Sequence, residues 1–170
     1  MKQMKKLIAI AVLFFGVVSF TNAQTKVAHI NTQELISAMP EMKKAKTEFD
    51  KLQQSLGADI QASVTEYRNK VKQYTNEAPN KTDAENEARK KELADLEVRI
   101  QEAQAAAEKT AQQKYIDLTK PIQEKALNAI QKVARAQGFS YVLDGTPGSG
   151  LLLADGTDLM PAVKKELGIQ

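Results

Sequence analysis

The chain has 170 residues, with 24 Lys plus Arg, 21 Asp plus Glu, a single His and no Cys. The lack of Cys excludes disulfides and thiolate metal sites, and His29 alone cannot build a multi-histidine site. The formal charge of +3 and a pI near 9.0 invite a nucleic-acid or anionic-surface reading, so the position of the charge matters.

Lys2, Lys5 and Lys6 precede an apolar run from Leu7 to Phe20, and Thr21, Asn22 and Ala23 follow it. A positive end, an apolar stretch of about 14 residues and a small-residue exit form the pattern of a cleaved export signal. The run is shorter than the roughly 20 residues that a spanning helix needs. Cleavage after Ala23 removes three lysines from 24, which leaves 21 basic residues against 21 acidic ones. The remaining chain is formally neutral, and Gln24 offers no thiol for a lipid. The expectation is a soluble exported protein, with residues 24–40 and 121–170 forming a compact β-rich body and 41–120 forming helical arms. Only six aromatics follow the signal: Phe49, Tyr67, Tyr74, Tyr115, Phe139 and Tyr141. So few predict an elongated molecule, or one that completes its core by association.

Val27 to Ile30 reads as a short strand. Its apolar positions do not strictly alternate, as in strands covered on both faces. Asn31 is placed to cap a short helix, with Glu34 three residues on to return the bond. Leu35, Ile36 and Met39 share one face of it. Pro40 suits the first turn of a second helix.

From Glu41 to about Asn76 the apolar positions are Met42, Ala45, Phe49, Leu52, Leu56, Ile60, Val64, Tyr67, Val71 and Tyr74. Their alternation of threes and fours is a coiled-coil seam. The repeated fours near Leu56 to Val64 are a stutter, and Gly57 sits at it and softens the helix there. A turn is predicted near 76–82. Thr82 and Glu85 then form a capping box at the start of a third helix. Its seam runs through Leu93, Leu96, Ile100, Ala103, Ala107, Ala111, Lys114 or Tyr115, Leu118 and Ile122. Glu85–Arg89, Glu87–Lys91 and Asp95–Arg99 are spaced for pairing one turn apart. Two seams of similar length joined by a turn predict an antiparallel hairpin reaching roughly 50 Å.

Pro121 predicts a kink where the arm joins the body. The helix resumes through Leu127, Ile130 and Val133 and ends near Gly138. Tyr141, Val142 and Leu143 read as a second strand, and Leu151 to Leu153 as a third, joined by a hairpin turn at Gly145 to Gly150. Asp158 caps a closing helix ending at Gly168. The fold class is therefore α+β, mostly α: a small sheet interrupted by a long helical hairpin. Three short strands leave exposed edges that favour association through the body.

No catalytic, cofactor or metal site emerges. Gly145 and Gly150 match the glycine spacing of a phosphate-binding loop. Leu151 and Leu152 stand where that loop needs Lys and Ser or Thr. His29 lies in an apolar strand, and the carboxylates alternate with lysines on helix faces, which is a solvated surface and no acid–base pair. Asn80, Lys81 and Thr82 fit a glycosylation sequon only formally. Tyr67, Tyr74 and Tyr115 are accounted for by packing on the seams. At the tip, Arg68, Lys70, Lys72, Lys81, Arg89, Lys90 and Lys91 are interleaved with Glu66, Glu77, Asp83, Glu85 and Glu87. That mixture lacks the one-sign excess of a nucleic-acid surface and allows at most weak membrane-surface contact.

The segment from Lys26 to Glu41 (KVAHINTQELISAMPE) resembles the N-terminal signature of the Skp/OmpH family of periplasmic chaperones. So do Pro121-Ile122, Ala129-Ile130, Val133-Ala134, Gly138, the strand Tyr141 to Asp144, and Asp158-Leu159 with Val163 and Leu167-Gly168. The resemblance spans the chain beyond the signal. It implies a trimer in which a β-body made by three chains carries three helical hairpins around a cavity. It also implies that the cavity holds unfolded outer-membrane β-barrel proteins without ATP. Assembly then falls to Val27, Ile30, Tyr141, Val142, Leu143, Leu151 and Leu153. The hairpin seam is represented by Phe49, Leu52, Leu56, Ile60, Val64, Tyr67, Leu93, Leu96 and Ile100. Client-contact residues stay undefined. The family's chaperones tend to be basic, so this chain's neutral charge is a departure. A coiled-coil envelope adaptor with one folded partner is the alternative.

Overall fold

A computed structural model describes residues 26–169, and the expected export signal lies outside them. Strand β1 (Val27–Ile30) leads into helix α1 (Thr32–Ala38). Helix α2 (Pro40–Glu77) has 38 residues, and after a 3-10 turn at Ala78–Asn80, helix α3 (Asp83–Ala136) has 54. Strands β2 (Tyr141–Asp144) and β3 (Thr157–Asp158) follow, and helix α4 (Met160–Leu167) closes the chain. The α+β, mostly helical class holds, with a small sheet and two long helices.

Local chemistry explains the helix ends. Asn31 accepts from the Glu34 amide at 2.9 Å. Glu34 does not return the bond; its carboxylate lies 3.6 Å from Lys164, tying α1 to α4. The Thr82–Glu85 capping box is complete in both directions. Phe139 N donates to Ala134 O at 2.9 Å after α3, with Gly138 at φ 74, and Gly168 at φ 68 ends α4. Both glycines occupy the left-handed region that closes a helix without a Cβ penalty. Asp158 accepts from Met160 N at 2.8 Å, at the start of α4. Helix α3 passes through Pro121 without a break, although the ring removes one internal hydrogen bond.

The sheet is parallel, in the order β2-β1-β3. This corrects two expectations. β2 and β3 do not form a hairpin; each lies beside β1. Leu151 to Leu153 is not a strand in the single chain, and the third strand is the two-residue Thr157–Asp158. The physical reason is pairing: β2 and β3 occupy both edges of β1, and the leucines bond to neither outer edge of the sheet. A short apolar run becomes a strand only where it meets a partner edge.

The core lies in the body. Ala28 and Ile30 of β1 face inward onto Leu35 and Met39 of α1, Ile122, Ala126, Ile130 and Val133 of α3, and Leu159 and Val163 beside and within α4. Ile36 packs at its margin. The hairpin leaves this core through Met42 and Ala45 on α2 and Leu118 on α3. Helix α2 alone extends about 57 Å at 1.5 Å per residue.

Candidate functional site

Two surfaces invite a functional reading: the open side of the sheet and the arms. On β1 and β2 the pleat sends Ala28, Ile30 and Val142 toward the helices, and Val27, His29, Tyr141 and Leu143 away from them. Parallel sheets are ordinarily covered on both faces. Here Tyr141 is 62% exposed, and Val27 and Leu143 are exposed beside it. Of the residues expected to carry assembly, Ile30 is therefore core, Val142 is half-buried, and Val27, Tyr141 and Leu143 form an open apolar face. Leu151 is half-buried, whereas Leu153 is largely exposed.

His29 joins this face to the loop that follows β2. Its Nε2 lies 3.2 Å from the Gly156 carbonyl oxygen. The start of the loop is fixed by Asp144. Its carboxylate accepts from Thr146 N (2.9 Å), Thr146 Oγ1 (2.7 Å), Thr32 Oγ1 (2.9 Å) and Thr32 N (3.3 Å). Partial burial alone would push the Asp144 carboxyl up, but these four donors outweigh it and hold it below the usual carboxylate range. The Thr146 hydroxyl also reaches Asn31 Oδ1 at 3.2 Å, so the cap of α1 and the end of β2 share one polar knot. Sequence reasoning missed this knot; the Asp-Gly-Thr turn was its only local signal.

On the arms, Phe49, Leu52, Leu56, Ile60, Val64 and Tyr67 of α2 are half-buried, as are Leu93 and Ile100 of α3, and Leu96 is buried. At the position left open between Lys114 and Tyr115, Lys114 is half-buried and Tyr115 is exposed. Tyr115 meets Phe49 edge to face, with ring centres 5.6 Å apart. Around this pair, where the arms meet the body, is a cleft of about 580 Å³ lined by Met42, Ala45 and Leu118 among others.

Ion pairs set the antiparallel register: Glu41–Lys125, Glu48–Lys114 at 2.6 Å, Lys70–Glu92 at 2.6 Å and Glu77–Arg89 step from the body to the tip. Arg89 thus crosses to α2 instead of pairing with Glu85 on its own helix. Its guanidinium sits 4.6 Å from the centre of the Tyr74 ring, a cation–π geometry. Tyr74 Oη donates to Glu92 Oε2 at 2.7 Å, and this bond raises the tyrosine's pKa. Bonds from Lys70 and Tyr74 lower Glu92. Glu85 is held down to about 2, first by the Thr82 amide, then by the Thr82 hydroxyl and Lys81. Lys70, Lys81, Arg89 and Lys90 of the tip are therefore engaged within the hairpin. Cross-helix partners depend on register, which spacing along one helix does not reveal.

Among the described residues no group of three or more His, Asp or Glu side chains is arranged to hold a metal ion. Nor is any helix among them long and apolar enough to cross a membrane.

A small parallel sheet crowned by helices, with one hairpin inserted between its first and second strands, matches a family model described as outer membrane protein (OmpH-like) over residues 26–167. The chain belongs to the OmpH-like family. Among solved structures it is similar to a candidate outer membrane chaperone (OmpH-like) from Caulobacter crescentus CB15. The TM-score is 0.74 at 18% identity, over 85% of each chain. At that identity the likeness establishes the OmpH-like fold, including the long hairpin. No curated protein sequence matches the chain.

Proposed function

We propose that this protein is an ATP-independent periplasmic holdase that binds unfolded outer-membrane β-barrel proteins and keeps them from aggregating. The observation that carries the reading is the OmpH-like family match over residues 26–167. Export through the signal at residues 1–23 supports a periplasmic address. An outer-membrane barrel has an apolar outer face and aggregates in water before insertion, so a carrier that sequesters it is required chemistry.

In this reading the body assembles copies, three as the family resemblance implies, and the arms hold the client. The open apolar face of Val27, Tyr141 and Leu143 supports assembly. Client contact is supported by α3, where Val98 and Ile116 are exposed. They lie five helical turns apart on one side, roughly opposite the seam through Leu96 and Ile100. Weak apolar contacts repeated on several arms act at high effective concentration and need no deep pocket. Neutral net charge leaves apolar contact as the main attraction and predicts weak salt dependence.

The test is dilution of an unfolded β-barrel protein from urea, with and without the purified protein and without ATP. Suppressed light scattering, saturating near one assembly per client, is the expected result. Unchanged aggregation, together with saturable binding to one folded envelope protein, would replace the holdase with an adaptor.

A further inference from the structure

The cleft at the base of the arms carries charges that the ion pairs of the hairpin leave unused. Its apolar lining comes from both long helices, Met42 and Phe49 of α2 and Tyr115 and Leu118 of α3. Lys43, Lys46 and Asp50 of α2 line it too, and all three are exposed. Elsewhere on α2, Glu41, Glu48, Lys70 and Glu77 each reach a partner on α3. Lys43, Lys46 and Asp50 make no ion pair among the described residues. Lys46 and Asp50 stand one turn apart without pairing. An apolar cleft edged by a few unpartnered charges has the make-up of a binding site.

The charges are ordered along the helix. Lys43 is nearest the body, with Lys46 about 4.5 Å and Asp50 about 10 Å farther along the axis at 1.5 Å per residue. Positive charge therefore sits at the body end and negative charge at the arm end. Between them the Phe49–Tyr115 pair keeps ring surface open, since Tyr115 is 54% exposed and Phe49 half-buried. Such a pair can take a further ring edge to face or offset. Phe49 and Tyr115 also border a second hollow farther out, of about 610 Å³, with Gln53 and Ile116. Lys46, Asp50 and Gln53 follow one another at helical spacings of four and three, so both hollows open on the same side of α2. Two hollows in line, sharing one aromatic pair, suit an extended polymer better than a compact ligand.

We propose that this cleft is a docking subsite for an extended stretch of unfolded chain in which an acidic residue stands two places from an aromatic one. The proposal rests on the holdase reading and specifies one contact within it. In an extended chain, residues two apart share a face and lie about 7 Å from each other. The rise along α2 from the midpoint of Lys43 and Lys46 to Phe49 is also about 7 Å. The aromatic ring packs on Phe49 and Tyr115, while the carboxylate meets the two lysines and stays clear of Asp50. A basic residue in the acidic position meets repulsion instead. Strands of outer-membrane barrels supply such stretches, because their aromatic girdles mark where the apolar lipid-facing band gives way to polar residues. Apolar contact alone holds a chain in any register; this subsite selects one. A single charged contact of this kind leaves the overall salt dependence of capture weak.

The protein contains no Trp, so the emission of a tryptophan peptide reports on the docked ring alone. The probe is a peptide of Ser and Gly with glutamate two residues before tryptophan, capped at both ends to remove the terminal charges. Titration with the purified protein should shift its emission to the blue and saturate. Glutamine in place of the peptide's glutamate should weaken binding about fivefold, the size expected of two exposed ion pairs, and lysine should weaken it further. A variant carrying Lys43→Glu and Lys46→Glu, both at exposed positions, should keep native circular dichroism and prefer the lysine peptide to the glutamate peptide. Equal affinity for the three peptides, or an unchanged preference in the charge-reversed variant, would overturn the subsite. If the native protein then still suppresses aggregation of an unfolded β-barrel protein, the holdase reading stands without it. Peptide binding without any such suppression would overturn the holdase reading and the client as occupant. Displacement of the peptide by laurate, with no difference between glutamate and glutamine, would make the cleft an acyl-chain site and refute the proposal.

Discussion

The body and the arms are built on different physics. All of the largest fully buried side chains, Ile30, Leu35, Met39, Leu159 and Val163, lie in the body. From residue 46 to residue 118 only Leu96 is buried. The body is a packed core, in which each side chain touches several elements. The arms are two helices sharing a half-buried seam, held in register by exposed ion pairs that contribute little each. A molecule divided this way can keep a rigid base while its arms deform at low cost. That division suits a proposed carrier whose clients differ in size.

The sharpest way to break the contrast is a core truncation. Leu35→Ala should cost about 3 kcal/mol, because the side chain is fully buried in the core of the body and its loss leaves a cavity there. Urea unfolding followed by circular dichroism measures it, and a loss under 1 kcal/mol would mean that the body is not a close-packed core. Phe49→Ala on the arm should cost about 1–2 kcal/mol, since the side chain is only half-buried and loses its Tyr115 partner. Hydrogen exchange should show that loss confined to the arms; faster exchange throughout the body would erase the distinction.

Smaller changes sharpen it. Thr82→Ala removes the cap of α3 and should cost about 1 kcal/mol, seen as faster amide exchange over the first turns from Asp83. Gly57→Ala should act in the opposite direction. A Cβ at Gly57 meets nothing within 4 Å, so the substitution should stabilise α2 by about 0.5–1 kcal/mol. If arm flexibility serves client capture, the same variant should suppress aggregation less well. The smallest effects concern pH. Asp144 and Glu85 both have lowered pKa values when folded, so the stability they contribute is present above the ordinary carboxylate range. It is lost as pH falls through the folded values, which for Glu85 means between about 4.5 and 2. A carboxyl NMR titration should find Glu85 near 2. An ordinary value would show that the capping box is open in solution.

Much of the architecture was legible in the residues, and the reasons are local. Seam positions repeat at helical spacing, Thr82 and Glu85 cap whatever helix follows them, and Gly138 and Gly168 close helices by backbone freedom. The segment Leu151 to Leu153 was misread for a reason equally physical. It has strand composition, but a strand is a pair property: both edges of β1 are taken, and the segment meets neither outer edge of the sheet. Arg89 was misassigned because Glu85 and Glu77 are both within reach, and only the meeting of two helices decides between them.

Periodicity and caps, which operate over a few residues, therefore determined the helical hairpin and the mostly helical class, and composition alone set the balance of 21 basic against 21 acidic residues from Gln24 onward. Tertiary structure alone decided that the sheet is parallel with β1 at its centre, that Asp144 joins the cap of α1, and that Val27, Tyr141 and Leu143 share one open apolar face. Those features bring together residues more than a hundred positions apart, and no local preference encodes which of them will meet.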